Sequence, residues 1–112
     1  MIIMHLADEY FDLIKSGEKI FEIRINDEKR QKIEVGDTIL FKRQSNSLDG
    51  LVVKIIERRQ FNSFKEMISR LDFNDIGMSG KDPEEVLELY QSFYSKDEEE
   101  KYGVVAFKLQ LM

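Results

Sequence analysis

The chain has 112 residues, 42% hydrophobic and 35% charged, with 17 basic and 22 acidic side chains and a formal net charge of −5. This length and apolar share are typical of one domain with a single core. The absence of cysteine excludes disulfides, thiolate metal sites and a cysteine nucleophile, and a single histidine excludes a histidine-rich metal site or a Ser-His-Asp triad.

We therefore expect one cytoplasmic domain over residues 1–112 that uses no metal and no cofactor. No apolar run approaches the ~20 residues of a membrane helix, and the first residues lack the features of a secretory signal. The charge is uneven, because residues 15–70 carry 13 basic and nine acidic side chains. The acidic total argues against broad binding to polyphosphate, whereas the basic middle permits a local anion-binding face.

The N-terminal quarter predicts a strand, a helix and a second strand. Residues 2–6 form a short apolar run, and a helix follows with Asp8 as its expected N-cap. Gly17 suits the left-handed position after the end of that helix. Residues 19–25 alternate between apolar and charged side chains, which predicts a half-buried strand.

The middle of the chain predicts strands separated by polar loops. Residues 26–34 are rich in charge and are expected to form a loop. The Val-Gly-Asp turn at 35–37 leads into a strand over 38–42, and residues 44–50 have the composition of a flexible connection. Residues 51–57 are apolar and β-rich, which predicts a central strand.

The second half predicts two short helices and a closing strand. Ser63 and Glu66 have the spacing of a capping box, and Asp82 followed by Pro83 is a typical helix start. The acidic run at 97–100 is expected to be a solvated loop. A last strand is expected over 103–111. The order of all these elements indicates an α+β domain with a strongly curved sheet or small β-barrel and covering helices.

The densest polar cluster is Gly17-Glu-Lys19-Ile-Phe-Glu22-Ile-Arg24. This Gly-x-Lys-x-x-Glu-x-Arg pattern, one helix in from the N-terminus, resembles the signature of ASCH domains, a branch of the PUA-like superfamily. Further similar features are the Gly36-Asp37 turn, the Asn26-Asp27…Arg30 loop and Tyr102-Gly103 before the last strand. The resemblance implies a small stand-alone ASCH domain with the fold of a PUA-like barrel. It also implies that the motif lines a cleft, and that the domain binds RNA or acts on it at this cleft.

One branch of that family, similar to this chain in size, hydrolyses N4-acetylcytidine to cytidine, and another is linked to ribonuclease activity. In the first branch the motif lysine activates a threonine, and a later glutamate assists. The resemblance places the lysine at Lys19, but Glu22 replaces the hydroxyl nucleophile, and only Asp75 is a candidate for the assisting carboxylate. A hydrolase with Lys19 and Glu22 as catalytic residues is therefore the alternative interpretation.

The residues themselves favour a binding site. Glu22 and Arg24 project from one strand face within ion-pairing reach, opposite the apolar side chains. Arg24 can hold a phosphate or ribose, Lys19 an anionic or carbonyl oxygen, and Glu22 the donor edge of a base. If Lys19 is also buried beside Arg24, we expect a lowered pKa for its ammonium.

We predict that a cleft formed by Gly17, Lys19, Glu22, Arg24 and Arg30 binds single-stranded RNA or a modified nucleoside or nucleotide. The alternatives are a surface ion-pair ladder of little consequence, and a regulatory module whose ligand is a protein.

Three residues outside the motif are expected to be structural. Phe61 and Phe64 lie among basic residues and could stack bases, but such phenylalanines more often belong to the core. His5 is expected to be a packed strand residue.

Overall fold

The computed structural model describes residues 1–112, which form five strands and five helices. In chain order they are β1 (Ile2–Leu6), α1 (Asp8–Lys15), β2 (Phe21–Ile25), α2 (Glu28–Gln31), β3 (Thr38–Arg43), β4 (Asn46–Phe61), α3 (Phe64–Arg70), α4 (Pro83–Phe93), α5 (Lys96–Tyr102) and β5 (Val104–Leu111). The strands make one sheet in the order β1-β3-β4-β5-β2. Only β1 and β3 are parallel, and the other three pairs are antiparallel.

The sheet carries a hydrophobic core on each of its two faces. One core joins β2 and β5 to helices α3 and α4 through residues such as Phe64 and Tyr90. The other packs α1 against β1, β3, β4 and β5 on the opposite face, with Phe11 and Phe107 among its members. Strand β5 contributes to both cores because successive side chains point to opposite faces.

The sheet curls so that its two edge strands approach each other. Arg24 of β2 donates a hydrogen bond from Nη2 to the backbone oxygen of His5 in β1, at 3.2 Å. These strands lie at opposite ends of the sheet order, so contact between them requires strong curvature. The predicted α+β fold with a strongly curved sheet and covering helices is therefore confirmed, and the sheet forms a half-barrel.

Several local predictions are confirmed by the helix ends and the core. The Ser63 side chain accepts from Glu66 N at 3.1 Å, and Asp82 accepts from Glu85 N at 3.0 Å ahead of Pro83. The predicted capping box at Ser63 is only half formed, because the Glu66 carboxylate accepts from Asn62 and not from Ser63 N. Each cap satisfies a backbone donor that the first helical turn leaves without a partner. Phe61 and Phe64 are buried core residues, as expected.

Two segments predicted as loops are helical. The four-residue helix α2 lies within 26–34, and Asp27 caps it by accepting from Arg30 N at 3.0 Å. The acidic run at 97–100 lies in α5, where Ser95 and Glu98 form a capping box. The acidic side chains favour this helix because three of them lie in its first turn, near the positive end of the helix dipole.

Two other boundaries differ from the prediction. Strand β4 begins at Asn46, so most of the predicted 44–50 loop is part of a hairpin with a two-residue turn. Helix α1 begins at Asp8 itself, and Ala7 is its N-cap. The Asp8 carboxylate instead accepts from the backbone and hydroxyl of Ser45, at 3.2 and 2.6 Å, which ties this hairpin to α1. None of the helices is sufficiently long and apolar to cross a membrane.

Candidate functional site

Gly17 redirects the chain from α1 toward the motif strand. It follows the helix C-cap with φ +86°, a left-handed conformation that glycine adopts without strain. The turn lets the backbone N–H of Lys19 donate to Leu13 O at 3.0 Å. Gly17 is exposed and does not line the cavity beside Lys19, so its role is to form the turn that positions Lys19.

Lys19 is buried and its ammonium has three acceptors. Nζ lies 2.5 Å from Phe21 O, 3.2 Å from Ile76 O and 3.4 Å from Glu22 Oε1. Three acceptors match the three protons of an ammonium group. Burial lowers the pKa of Lys19, and the nearby Glu22 carboxylate opposes that shift. This direction agrees with the expectation, and burial is its main cause while Arg24 contributes least.

Glu22 is held between two cations. Its Oε2 accepts from Arg24 Nε at 3.0 Å and lies 2.8 Å from Arg24 Nη2, while Oε1 faces Lys19. Burial alone would raise the pKa of Glu22, but Arg24 and Lys19 outweigh it and lower the pKa below its ordinary value. The same carboxylate raises the pKa of Arg24 against the effect of burial.

These three side chains, which we call the motif triad, are not a surface ion-pair ladder. Lys19 and Glu22 are 3% and 5% exposed. Glu22 pairs across the sheet with Phe107, a residue of the second core, so its side of β2 is buried as well. The expectation of a half-buried strand is therefore wrong, because the curled sheet covers both faces. The triad holds two cations and one anion and so carries one uncompensated positive charge.

The motif triad lines a cavity of about 210 Å³, which we call the motif cavity. Residues 5–7, at the end of β1 and just after it, form one side, and Met78 contributes from the segment between α3 and α4. The aromatic side chains of its wall are Tyr10, Tyr90, Phe93 and Tyr94. Cations and aromatic rings therefore surround the same space.

The tyrosines of the motif cavity offer hydroxyl groups that the protein leaves without hydrogen-bond partners. The hydroxyls of Tyr10, Tyr90 and Tyr94 bond to no protein atom, although Tyr90 is only 4% exposed. Arg24 Nη1 likewise has no protein acceptor, because Nε and Nη2 make all of its bonds. Burial raises the pKa of Tyr90, and Glu22 adds to the effect, so this hydroxyl stays protonated at neutral pH.

The chain matches the ASCH domain over residues 4–112. It is a member of the ASCH family.

Two solved structures share the fold over nearly the whole chain. The fold is similar to that of hypothetical protein PH0355, with 38% identity, a TM-score of 0.87, and coverage of 98% of this chain and 97% of that chain. Protein PF0455 from Pyrococcus furiosus is 33% identical with a TM-score of 0.76, and the alignment covers 99% and 96% of the two chains.

More distant comparisons add only the fold. The ASCH protein of Zymomonas mobilis shares 15% identity and a TM-score of 0.63 over 96% of this chain and 65% of its own. A comparison with curated proteins finds no match.

Besides Gly17, two of the residues proposed from the sequence lie outside the motif cavity. In this ASCH domain Arg30 lies outside the motif cavity and lines a smaller one beside Arg24. Asp75, the candidate assisting carboxylate, does not line the motif cavity either. Its backbone oxygen accepts from Ile20 N and Phe21 N, both at 2.9 Å, so this residue anchors the start of β2.

The sequence did not indicate the aromatic wall of the site. In the sequence, Tyr10, Tyr90 and Phe93 lie on apolar stripes at helical spacing and give no sign of a site. His5 was expected to be packed, but it is exposed at the cavity. The available signal was the residue type, because a tyrosine on an apolar stripe carries a hydroxyl that a leucine does not.

Proposed function

We propose that this ASCH domain binds one nucleoside or nucleotide, free or within single-stranded RNA, in the motif cavity. The observation that carries the proposal is the set of hydrogen-bonding groups without protein partners, namely three tyrosine hydroxyls and Arg24 Nη1. Aromatic rings stack on bases of any sequence. A volume of about 210 Å³ is below the roughly 300–1,000 Å³ of drug-sized pockets, which favours a single base.

The three side chains of the motif triad have different roles in this proposal. Lys19 is occupied with protein partners and pairs with Glu22, and Glu22 in turn holds Arg24, which leaves Arg24 Nη1 to bind the ligand. The uncompensated positive charge favours an anionic or carbonyl oxygen beside Arg24. Donor groups of a base are met by the tyrosine hydroxyls, which accept hydrogen bonds as well as donate them.

Hydrolysis has less support than binding. Glu22 is the only carboxylate that lines the motif cavity, and two cations hold its pKa below the ordinary value. A general base works best with a pKa near the working pH, and it must reach the proton that it removes. A carboxylate locked between Lys19 and Arg24 meets neither condition well.

The test is an NMR titration of the labelled protein with cytidine, uridine, N4-acetylcytidine and pooled single-stranded RNA. We expect saturable shifts at the motif cavity. A variant with Tyr10, Tyr90 and Tyr94 all changed to phenylalanine should keep the fold and bind at least tenfold more weakly, since each lost hydrogen bond is worth about 1 kcal/mol. Tyr102→Phe, which lies outside the cavity, is the matched control.

Three outcomes contradict the proposal. Shifts that do not saturate with any of these ligands would remove the site. Equal binding by the wild type and the triple variant would place the ligand elsewhere. Release of cytidine from N4-acetylcytidine would replace binding by hydrolysis. Salt dependence provides a further criterion. For a pocket with one positive charge, the logarithm of the binding constant should fall with the logarithm of the salt concentration with a slope of about one, far below the slope for a protein that contacts many phosphates.

A further inference from the structure

A second cavity of about 50 Å³ adjoins the motif cavity. Arg24 and Tyr94 line both cavities, and Asp27, Arg30 and Glu98 complete the smaller one, which we call the side cavity. A ligand in the motif cavity that contacts Arg24 and Tyr94 can therefore extend a group into the side cavity. Its volume is sufficient for a few water-sized groups and is too small for a second base.

The charges of the side cavity balance. Its lining has two cations, Arg24 and Arg30, and two carboxylates, Asp27 and Glu98, and Asp27 Oδ2 lies 3.2 Å from Arg30 Nη1. A phosphate placed here would meet the carboxylates of Asp27 and Glu98. A neutral group that both donates and accepts hydrogen bonds suits this mixture better than an anion does.

Besides Arg24 Nη1 and the Tyr94 hydroxyl, Arg30 and Glu98 of the side cavity also have polar groups without a partner in the protein. Arg30 Nε is fully buried and makes no hydrogen bond. Such a buried donor is costly unless something accepts from it. Glu98 uses Oε1 to accept from the backbone and hydroxyl of Ser95, which leaves Oε2 without a protein donor. Arg30 Nη2 also has no acceptor in the protein and, unlike Nε, is accessible, so a hydroxyl could accept from Nη2 and donate to a carboxylate.

We propose that the side cavity binds a ribose hydroxyl, so that the domain discriminates ribonucleosides from deoxyribonucleosides. The 2′-hydroxyl is both donor and acceptor and is the group by which proteins distinguish RNA from DNA. The inference rests on the proposed function, because the base must occupy the motif cavity for its sugar to extend past Arg24 and Tyr94. It assigns Arg30 to the sugar.

The test measures binding of the four ribonucleosides and their 2′-deoxy counterparts by calorimetry or NMR. For any base that binds, the wild type should favour the ribonucleoside by about tenfold, the effect of one hydrogen bond to a charged group. Arg30→Lys keeps the charge but removes the guanidinium donors, and it should weaken only the ribonucleoside, so that the two affinities converge. Arg59→Lys, at an exposed residue of β4 outside both cavities, should leave the preference unchanged.

A second variant keeps the proposal testable if Arg30→Lys unfolds. Glu98 is exposed, and Glu98→Gln should also reduce the ribose preference. Equal wild-type affinity for both sugars would overturn this inference while the proposed function stands. Failure of every nucleoside to bind would remove both. Tighter binding of a 5′-monophosphate than of its nucleoside, lost in Arg30→Lys, would make the side cavity a phosphate site and overturn the hydroxyl assignment.

Discussion

Replacing Glu22 by glutamine removes the only anion of the motif triad and leaves Lys19 and Arg24 buried without compensation. The carboxylate lies 3.4 Å from Lys19 Nζ and 2.8 Å from Arg24 Nη2. At an effective dielectric constant of about 20, each attraction is on the order of 5 kcal/mol before the cost of desolvation. Removing one member of a buried ion pair typically costs about 3–5 kcal/mol, which is the loss we expect in the free energy of unfolding.

A loss of that size is a large part of the roughly 5–15 kcal/mol by which small domains are stable. Thermal denaturation should show a decrease in Tm on the order of 15 °C. Glu18→Gln is the matched control, because Glu18 is exposed and has no ion-pair partner, and its effect should stay within about 0.5 kcal/mol. Equal losses for Glu22→Gln and Glu18→Gln would refute the view that Glu22 compensates the two buried cations.

The same carboxylate predicts how stability changes with pH. Its pKa is lower in the folded protein than the value of about 4.3 in an unfolded chain. The ionised form therefore stabilises the fold above about pH 4.3, and this contribution is lost as the pH falls through the folded pKa. Chemical denaturation at several pH values should show the gap between the wild type and Glu22→Gln narrowing below about pH 4. A gap that widens there would contradict the reasoning.

Two further substitutions test the segments that hold the site. Gly77→Ala should lower the free energy of unfolding by about 2 kcal/mol in denaturant titrations, because Gly77 has φ +78° and an added Cβ would lie 3.1 Å from Lys19 Cδ. Gly80→Ala, at φ +79° with open space around it, should cost about 1 kcal/mol. Arg58→Lys should lower stability by about 2 kcal/mol in thermal denaturation, since it loses the 2.8 Å hydrogen bond to the buried Asn26 side chain.

For each of these variants, a comparison with a control variant can contradict the prediction. Equal losses at Gly77 and Gly80 would show that contact with the lysine stem adds nothing to backbone strain. Arg59→Lys, at the exposed neighbour of Arg58, should be close to neutral. If it cost as much as Arg58→Lys, the hydrogen bond to Asn26 could not be the cause.

The site was predictable from the sequence only in part. Residues 21–25 alternate strictly, so the backbone periodicity of a strand puts Glu22 and Arg24 on one side wherever that strand lies. The left-handed glycine and the helix caps depend on neighbours a few residues away, and Gly17, Ser63 and Asp82 were predicted correctly. The loop at 26–34 was mispredicted because the cap from Asp27 to Arg30 was not recognised.

The sequence by itself determined the order of most elements and which motif residues share a strand face, because both follow from local periodicity. Tertiary structure decided that the Glu22 side of β2 is buried, that β1 and β2 meet through Arg24, and that Tyr90 and Tyr94 complete the wall. These features depend on the curl of the sheet and on the packing of α4. The curl joins Arg24 to His5, 19 positions away, and the packing of α4 adds tyrosines about 70 positions beyond the motif triad. No local sequence pattern records contacts between residues so far apart. The motif could therefore be recognised in the sequence, whereas its cavity could be recognised only in the fold.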